Sequence, residues 1–265
     1  MANAWTTPRT WTDGEVVGKT IMDAHVRDNL EFLYDRTQGG RSKGWDYGTE
    51  CNGVPTDGIM SAQVSGGTCA VAALLANAYE RPGQIKLDTG AIATNRAALA
   101  SVNFNQIALG GGEVTFECSL QISALSSVTD RFQLLAGLID NVAAANQTNG
   151  AYLLYDEGGV STSSTAAAYW QTASVAGAAR AFNTALTQVT VAATTWVNLK
   201  LIVNATRTNI AYYVNGTQVS AHTANIPAST TGLGFGVYLQ KSIGTTARFA
   251  TVDYVRVGQY LTTAR

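Results

Sequence analysis

The sequence predicts a mainly β protein, an antiparallel sandwich preceded by one short helical segment. Three observations predict it. A single amphipathic stretch, Thr20 to Arg36, is followed by over two hundred residues that read as strands. Those strands alternate apolar and polar side chains with a period of two. An Asn215-Gly216 pair sits between two such runs, the strongest short hairpin signal a sequence carries. The composition agrees: 265 residues with 46% hydrophobic content suffice for one large core and a small appendage. The division is expected near Gly40, giving an anchor over 1–40 and a β domain over 41–265.

The helical segment opens on Thr20 and Asp23, a capping box with Asp in place of Glu. Met22, Val26, Leu30 and Leu33 then form one apolar stripe, while Met22, Val26, Asn29 and Leu33 follow a heptad seam with Asn29 as a polar register residue. A helix from Ile21 to Arg36 is only about 24 Å long and needs a partner in water. Two partners fit the stripe: copies of itself in a short parallel bundle, with a trimer favoured, or the chain's own β domain.

In the β domain the first clear strand runs from Gly112. Val114, Phe116, Cys118, Leu120 and Ile122 share one face, and Glu113, Thr115, Glu117, Ser119 and Gln121 the other. Trp196 to Asn204 repeats the pattern with Val197, Leu199, Leu201 and Val203 inward. Ile210 to Ser220 forms the hairpin about Asn215-Gly216. Further strands are expected at Gln84–Leu87, Ala97–Val102, Phe132–Asp140, Ala151–Asp156, Leu233–Leu239 and Phe249–Val257. The Ala-rich run Ala166 to Ala185 contains Gly177, Asn183 and many Thr and Ser residues, so it reads as loop and edge strands rather than helix. Gly39 to Gly67 reads as a linker that settles into the first strands, and Gly110-Gly111-Gly112 as a turn, since a strand and not a helix follows it.

Charge and cysteine usage exclude several function classes. With 17 basic and 18 acidic residues and no Lys/Arg cluster, no field steers nucleic acid or an anionic membrane, and nucleic-acid partners are not expected. No run of 18 apolar residues exists, and the first residues lack a basic and an apolar region, so neither membrane insertion nor a signal peptide is expected. Three cysteines form no framework or C-x-x-C motif; a Cys51–Cys69 pairing is open on sequence, with free thiols as the expectation. Two histidines, His25 and His222, are too few for a metal cluster, so neither metal nor cofactor is expected.

Catalytic pairs are equally scarce. A glycosidase needs two carboxyl groups about 5 to 9.5 Å apart. Glu113 and Glu117 share a face but lie roughly 13 Å apart along a strand, and read as solvated. Asp156-Glu157 reads as a turn, and Asp253 as paired locally with Arg256 or the backbone. Neither histidine lies in a nucleophile-elbow context. No catalytic residue is assigned and the chain is not expected to be an enzyme. Tyr152, Tyr155, Trp170 and Tyr212, with Tyr169 and Tyr213 beside them, are candidate stacking platforms for sugar rings; packing in the core or between subunits is the other reading of each.

Two segments resemble known families. Trp5-Thr6-Thr7-Pro8-Arg9-Thr10-Trp11, Gly14-Glu15-Val16-Val17 and His25-Val26-Arg27-Asp28-Asn29-Leu30 with Phe32-Leu33 resemble an N-terminal module of tailed-bacteriophage virion proteins. The remainder, from Gly44 to Tyr260, is similar to concanavalin A-like (LamG-like) jelly-roll domains of phage structural proteins. The similarity is carried by Arg81 to Gly90, Gly137-Leu138-Ile139-Asp140, Asn215-Gly216, His222 to Pro227 and Val252-Asp253-Tyr254-Val255. The resemblance implies a virion component, tail fibre or capsid decoration, assembled in the host cytoplasm. It would be a homo-oligomer anchored to other virion proteins through its N-terminus and displaying a lectin-like jelly roll, with host-surface glycan as a further partner. The laminarinase-like relatives of that fold carry Glu-x-Asp-x-x-Glu on a core strand, which this sequence lacks. A polysaccharide depolymerase is the alternative function.

Overall fold

The computed structural model describes residues 45–49, 51, 54–55, 57–72, 83–143, 146–156, 168–183 and 188–261. The anchor 1–40 and the oligomerisation seam of Met22, Val26, Asn29, Leu30 and Leu33 lie outside the described residues.

Strands are the regular elements of the described residues, sixteen in all, arranged as two antiparallel sheets. The first sheet holds β1 (Trp45–Thr49), β3 (Thr68–Val71), β4 (Ile85–Asp88), β7 (Gly112–Ile122), β12 (Val197–Val203), β13 (Ile210–Val214), β14 (Thr217–His222) and β16 (Phe249–Leu261). Its order is β14-β13-β12-β7-β16-β4-β3, with β1 also paired to β16. The second holds β2 (Met60–Ser65), β5 (Arg96–Ser101), β6 (Ile107–Ala108), β8 (Arg131–Ile139), β9 (Gly150–Tyr155), β10 (Gln171–Ala176), β11 (Ala179–Asn183) and β15 (Gly232–Ile243). Its order is β11-β10-β9-β8-β15-β5-β2, with β6 beside β15.

The expected strands are all present, and the alternation decides which face is inward. Val114, Phe116, Cys118, Leu120 and Ile122 of β7 enter the core between the sheets, joined by Val197, Leu199, Leu201 and Val203 of β12. From the second sheet the same core receives Phe132, Leu134, Ala136 and Leu138 of β8 and Leu233, Phe235, Val237 and Leu239 of β15. At about 25 cal/mol per Å² of apolar area, this continuous layer is the main source of stability. Cys118 lies in it, and burial raises its thiol pKa far above the ordinary value. Cys69 is pushed up to about 11 by the same cause. All three cysteines are free.

The hairpin turns where expected. Asn215 and Gly216 have φ of 50° and 80°, the left-handed pair a type I′ turn requires. The register then shifts between Tyr212 and Tyr213. A Cβ at Gly216 meets nothing within 4 Å, so Gly216→Ala tests backbone preference alone. A loss of about 1 kcal/mol in denaturant unfolding is expected, with no change in fold.

Two expectations need correction. The Ala-rich run does not supply edge strands only: β10 lies inside the second sheet between β9 and β11, and only β11 is an edge. Its Ala and Ser side chains let it pack on both faces, a small-residue strand that propensity undervalues. Asp156, expected in a turn with Glu157, follows β9 directly and is wholly buried; Glu157 lies outside the described residues.

Candidate functional site

The second sheet has two buried faces. Opposite the core, Ala98, Ala100, Leu135, Ile139, Tyr152, Leu154, Ala173, Val175 and Tyr238 form a separate cluster, with Phe104, Val142 and Phe182 packed against it. Strand register arranges this outer face in cross-strand rows. One row runs Ser65, Arg96, Gln240 and Gln133, and Asp156, one residue past β9, continues its line. The next runs Gln63, Ala98, Tyr238, Leu135, Leu154 and Gln171. The third pairs Ala100, Gly236, Gly137, Tyr152, Ala173 and Phe182.

The polar groups in these rows are amides and tyrosine hydroxyls, with Ser65, Arg96 and Asp156 in the first row. Tyr238 Oη donates to Gln240 Oε1 at 2.5 Å, and Gln63 Nε2 donates to Ser101 O at 2.8 Å. Burial pushes the Tyr238 pKa up to about 12 against the pull of Arg96, so the phenol remains a donor at physiological pH. Arg96 Nη1 donates to Ala143 O, fixing a loop that crosses this end of the sheet. That loop is braced internally: Asp140 Oδ2 accepts from Asn149 N at 2.7 Å, Gln147 Oε1 accepts from the backbone of Asp140 and Asn141, and Arg180 Nη2 donates to Gln147 O at 3.0 Å. Gln171 differs from these groups. It is fully buried, and among the described residues neither Oε1 nor Nε2 has a hydrogen-bond partner. An amide enclosed in that way costs about 1–3 kcal/mol for each unpaired group.

The aromatic residues singled out in the sequence are mostly elsewhere. Tyr155, Trp170 and Tyr212 belong to the core between the sheets, where Tyr155 meets Phe132 edge-on at 5.5 Å and Trp170 at 6.3 Å. Tyr155 Oη accepts from Ser126 N and Tyr212 Oη donates to Ala173 O. They are packing residues, not stacking platforms. Tyr152 alone of the four reaches the outer face of the second sheet, at 3% exposure.

His222 bridges the sheets and resembles a nucleophilic pair at first sight. Its Nδ1 lies 2.8 Å from Ser174 Oγ and its Nε2 lies 2.9 Å from Thr172 Oγ1. Ser174, however, donates its proton to Ala224 O at 2.7 Å. Nδ1 must therefore donate to Ser174, and Nε2 accept from Thr172. In that tautomer the imidazole does not deprotonate Ser174. Burial also lowers the His222 pKa to about 4, and its ring lies against Tyr212 at 4.9 Å. The group is a neutral strut between β14 and β10.

On the outer face of the first sheet, Glu117 accepts from Tyr254 Oη at 2.7 Å and lies 3.8 Å from Lys200 Nζ. Burial first, and this carboxylate second, raise the Tyr254 pKa well above its ordinary value. Glu117 is thus engaged rather than simply solvated. Asp253 sits where the register of β16 against β7 shifts. No group of three His, Cys, Asp or Glu that could hold a metal occurs among the described residues. None of their helices is long and apolar enough to cross a membrane.

The outer-face row of Arg96, Gln240, Gln133 and Asp156, with Gln171 in the row beside it, was not legible in sequence. Each residue is an isolated polar side chain on its own strand, and only the register of five strands brings them together.

Two stacked antiparallel sheets with this connectivity define a concanavalin A-like, lectin-type jelly roll. The chain belongs to the SO2946-like family: a model of the SO2946-like C-terminal domain matches residues 80–253. The SO2946 protein of unknown function from Shewanella oneidensis MR-1 superposes with a TM-score of 0.57 at 12% identity, covering 98% of this chain and 99% of that one. Winged bean acidic lectin, solved with methyl-α-D-galactose, gives 0.58 at 7% identity over 83% of this chain and 100% of the lectin. Bacillus licheniformis β-glucanase gives 0.51 at 14% identity over 81% and 98%. At such identities the likeness is one of fold. No curated protein matches the chain.

Proposed function

We propose that the protein is a non-catalytic, glycan-binding structural component of a phage virion, trimeric through Met22, Val26, Asn29, Leu30 and Leu33 and displaying its jelly roll outward. The binding half rests on one observation: the outer face of the second sheet carries amides and tyrosine hydroxyls around Gln171, whose whole amide is buried and unpaired, and Gln63, Arg96 and Gln240 of the same rows are partly exposed. Neutral donors and acceptors over apolar ground suit a polyhydroxylated ligand. In the rows of that face Asp156 is the one carboxylate among the described residues, whereas glycoside hydrolysis uses two, which supports binding over cleavage. The virion half rests on the N-terminal resemblance.

The test joins both halves. An antibody to the β domain, carried on gold, is expected to label purified virions in electron micrographs, and the purified full chain to retain neutral oligosaccharides on a glycan array. Gln171→Leu is expected to lower that retention at least tenfold while keeping the fold. Unlabelled particles would remove the virion assignment; a silent array, or retention indifferent to Gln171, would remove the binding face. Release of reducing ends from host polysaccharide would bring back the depolymerase.

A further inference from the structure

A cleft of about 470 Å³ opens on the outer face of the first sheet, on the side of the sandwich away from Gln171. Its floor is Thr251 of β16 and Gln121 of β7, with Lys86 of β4 in register beside Thr251. Ala72 and Phe249 give it apolar ground; Ser123 and Thr194 bring hydroxyls to its rim. The volume is that of a small-ligand site, and the lining is apolar ground with a few convergent polar groups.

Lys86 gives the cleft its character. Its Nζ lies 2.7 Å from Asp88 Oδ2 and 4.2 Å from the centroid of the Phe249 ring, and its side chain is 39% exposed. Asp88 and the ring hold the ammonium in one place, so a ligand does not have to order it. An ammonium has three N–H donors; Asp88 takes one, leaving two for a ligand. Gln121, Ser123, Thr194 and Thr251 add neutral donors and acceptors at the same opening.

We infer that this cleft is a second saccharide site, built for a sugar that carries a carboxylate. The sugar's apolar face lies on Ala72 and Phe249, its hydroxyls meet the amide and the hydroxyl side chains, and its carboxylate meets Lys86. The inference rests on the reading of the domain as a glycan binder, and it adds a different surface and an acidic ligand class to it.

Calorimetry on the full chain tests it, with digalacturonate as the acidic probe, lactose as the neutral one, and an acetylated, aspartate-rich tetrapeptide as the acidic non-sugar. Digalacturonate is expected to bind, to weaken at least tenfold in Lys86→Gln, to weaken with added salt, and to be unaffected by Gln171→Leu. Lys86 is partly exposed, so its variant is expected to keep the wild-type Tm. Three results would overturn the inference alone: digalacturonate binding that ignores Lys86→Gln, equal binding of the acidic peptide, or binding of lactose through Gln171 with no binding of digalacturonate. Absence of binding by every saccharide on the array would overturn both this inference and the glycan reading.

Discussion

Unfolding is expected to become easier by up to about 3 kcal/mol as the pH falls from 6.5 to 4, through His222 alone. In the folded chain its pKa is lowered from 6.5 to about 4 by burial between the sheets. The unfolded chain therefore binds a proton in this window that the folded chain refuses. The stability contributed by neutral His222 is complete above pH 6.5 and is lost progressively as the pH falls towards 4. Geometry supplies the cause: protonation would turn Nε2 from an acceptor of the Thr172 hydroxyl into a donor facing it, in a site 4% exposed. Asp57 and Asp130 have carboxyl pKa values below their usual ones, so their contributions fade at still lower pH and leave the window to the histidine. Denaturant midpoints at three pH values check this for the wild type and His222→Gln. The variant is expected to start less stable at neutral pH and to show a flatter slope between pH 6.5 and 4. An unchanged slope would assign the acid sensitivity elsewhere.

Gly236→Ala is expected to cost about 3 kcal/mol or more, several times the effect at Gly216. Gly236 of β15 pairs directly with Gly137 of β8, at the middle of the second sheet. A Cβ on Gly236 would stand 2.4 Å from Leu99 O and 2.6 Å from Ala100 Cα; one on Gly137 would stand 2.4 Å from Ala151 O and 2.6 Å from Tyr152 Cα. These are backbone atoms of paired strands, which cannot swing aside as a side-chain end would. The four strands β5, β15, β8 and β9 thus meet across a glycine pair, and an added methyl at either position must push two of them apart. Urea unfolding of Gly236→Ala and Gly216→Ala, measured together, separates this close approach from ordinary turn preference. A loss below about 1 kcal/mol at Gly236 would show that the sheet relaxes around the methyl.

These two sites also mark the limit of what the sequence discloses. The alternation of β7 and β12 is visible because each strand has one face in the core and one face polar, and Asn215-Gly216 is visible because turn chemistry is local. The second sheet hides its logic for the opposite reason. Buried on both faces, β8, β9 and β10 read as runs such as Leu134-Leu135-Ala136 or Ala151-Tyr152-Leu153-Leu154, in which inward and outward members look alike. Tyr155, Trp170 and Tyr212 were grouped with Tyr152 on residue type, and only the register assigns three to the core and one to the outer face. His222 appears in sequence as an isolated residue; its partners Thr172 and Ser174 are 50 and 48 residues away and on the other sheet. Gln171 carries no motif and Lys86 only that of its strand, and their meaning comes from a missing hydrogen-bond partner and from a neighbouring ring.

The pairing of β1 with β16 has a mechanical consequence. Trp45 lies opposite Gln259 and Thr49 opposite Val255, so the sandwich is entered and left at the same corner. Tension applied between residues 45 and 261 would open the Trp45–Gln259 end first and run inward one rung at a time, while β16 stays paired with β7 along that stretch and with β4 at Phe249–Val252. Such peeling meets the hydrogen bonds singly, where a shearing pull would meet them together. A load carried through both chain ends would therefore detach β1 at low force and leave the rest of the sandwich folded, a shock absorber of five residues placed ahead of the core.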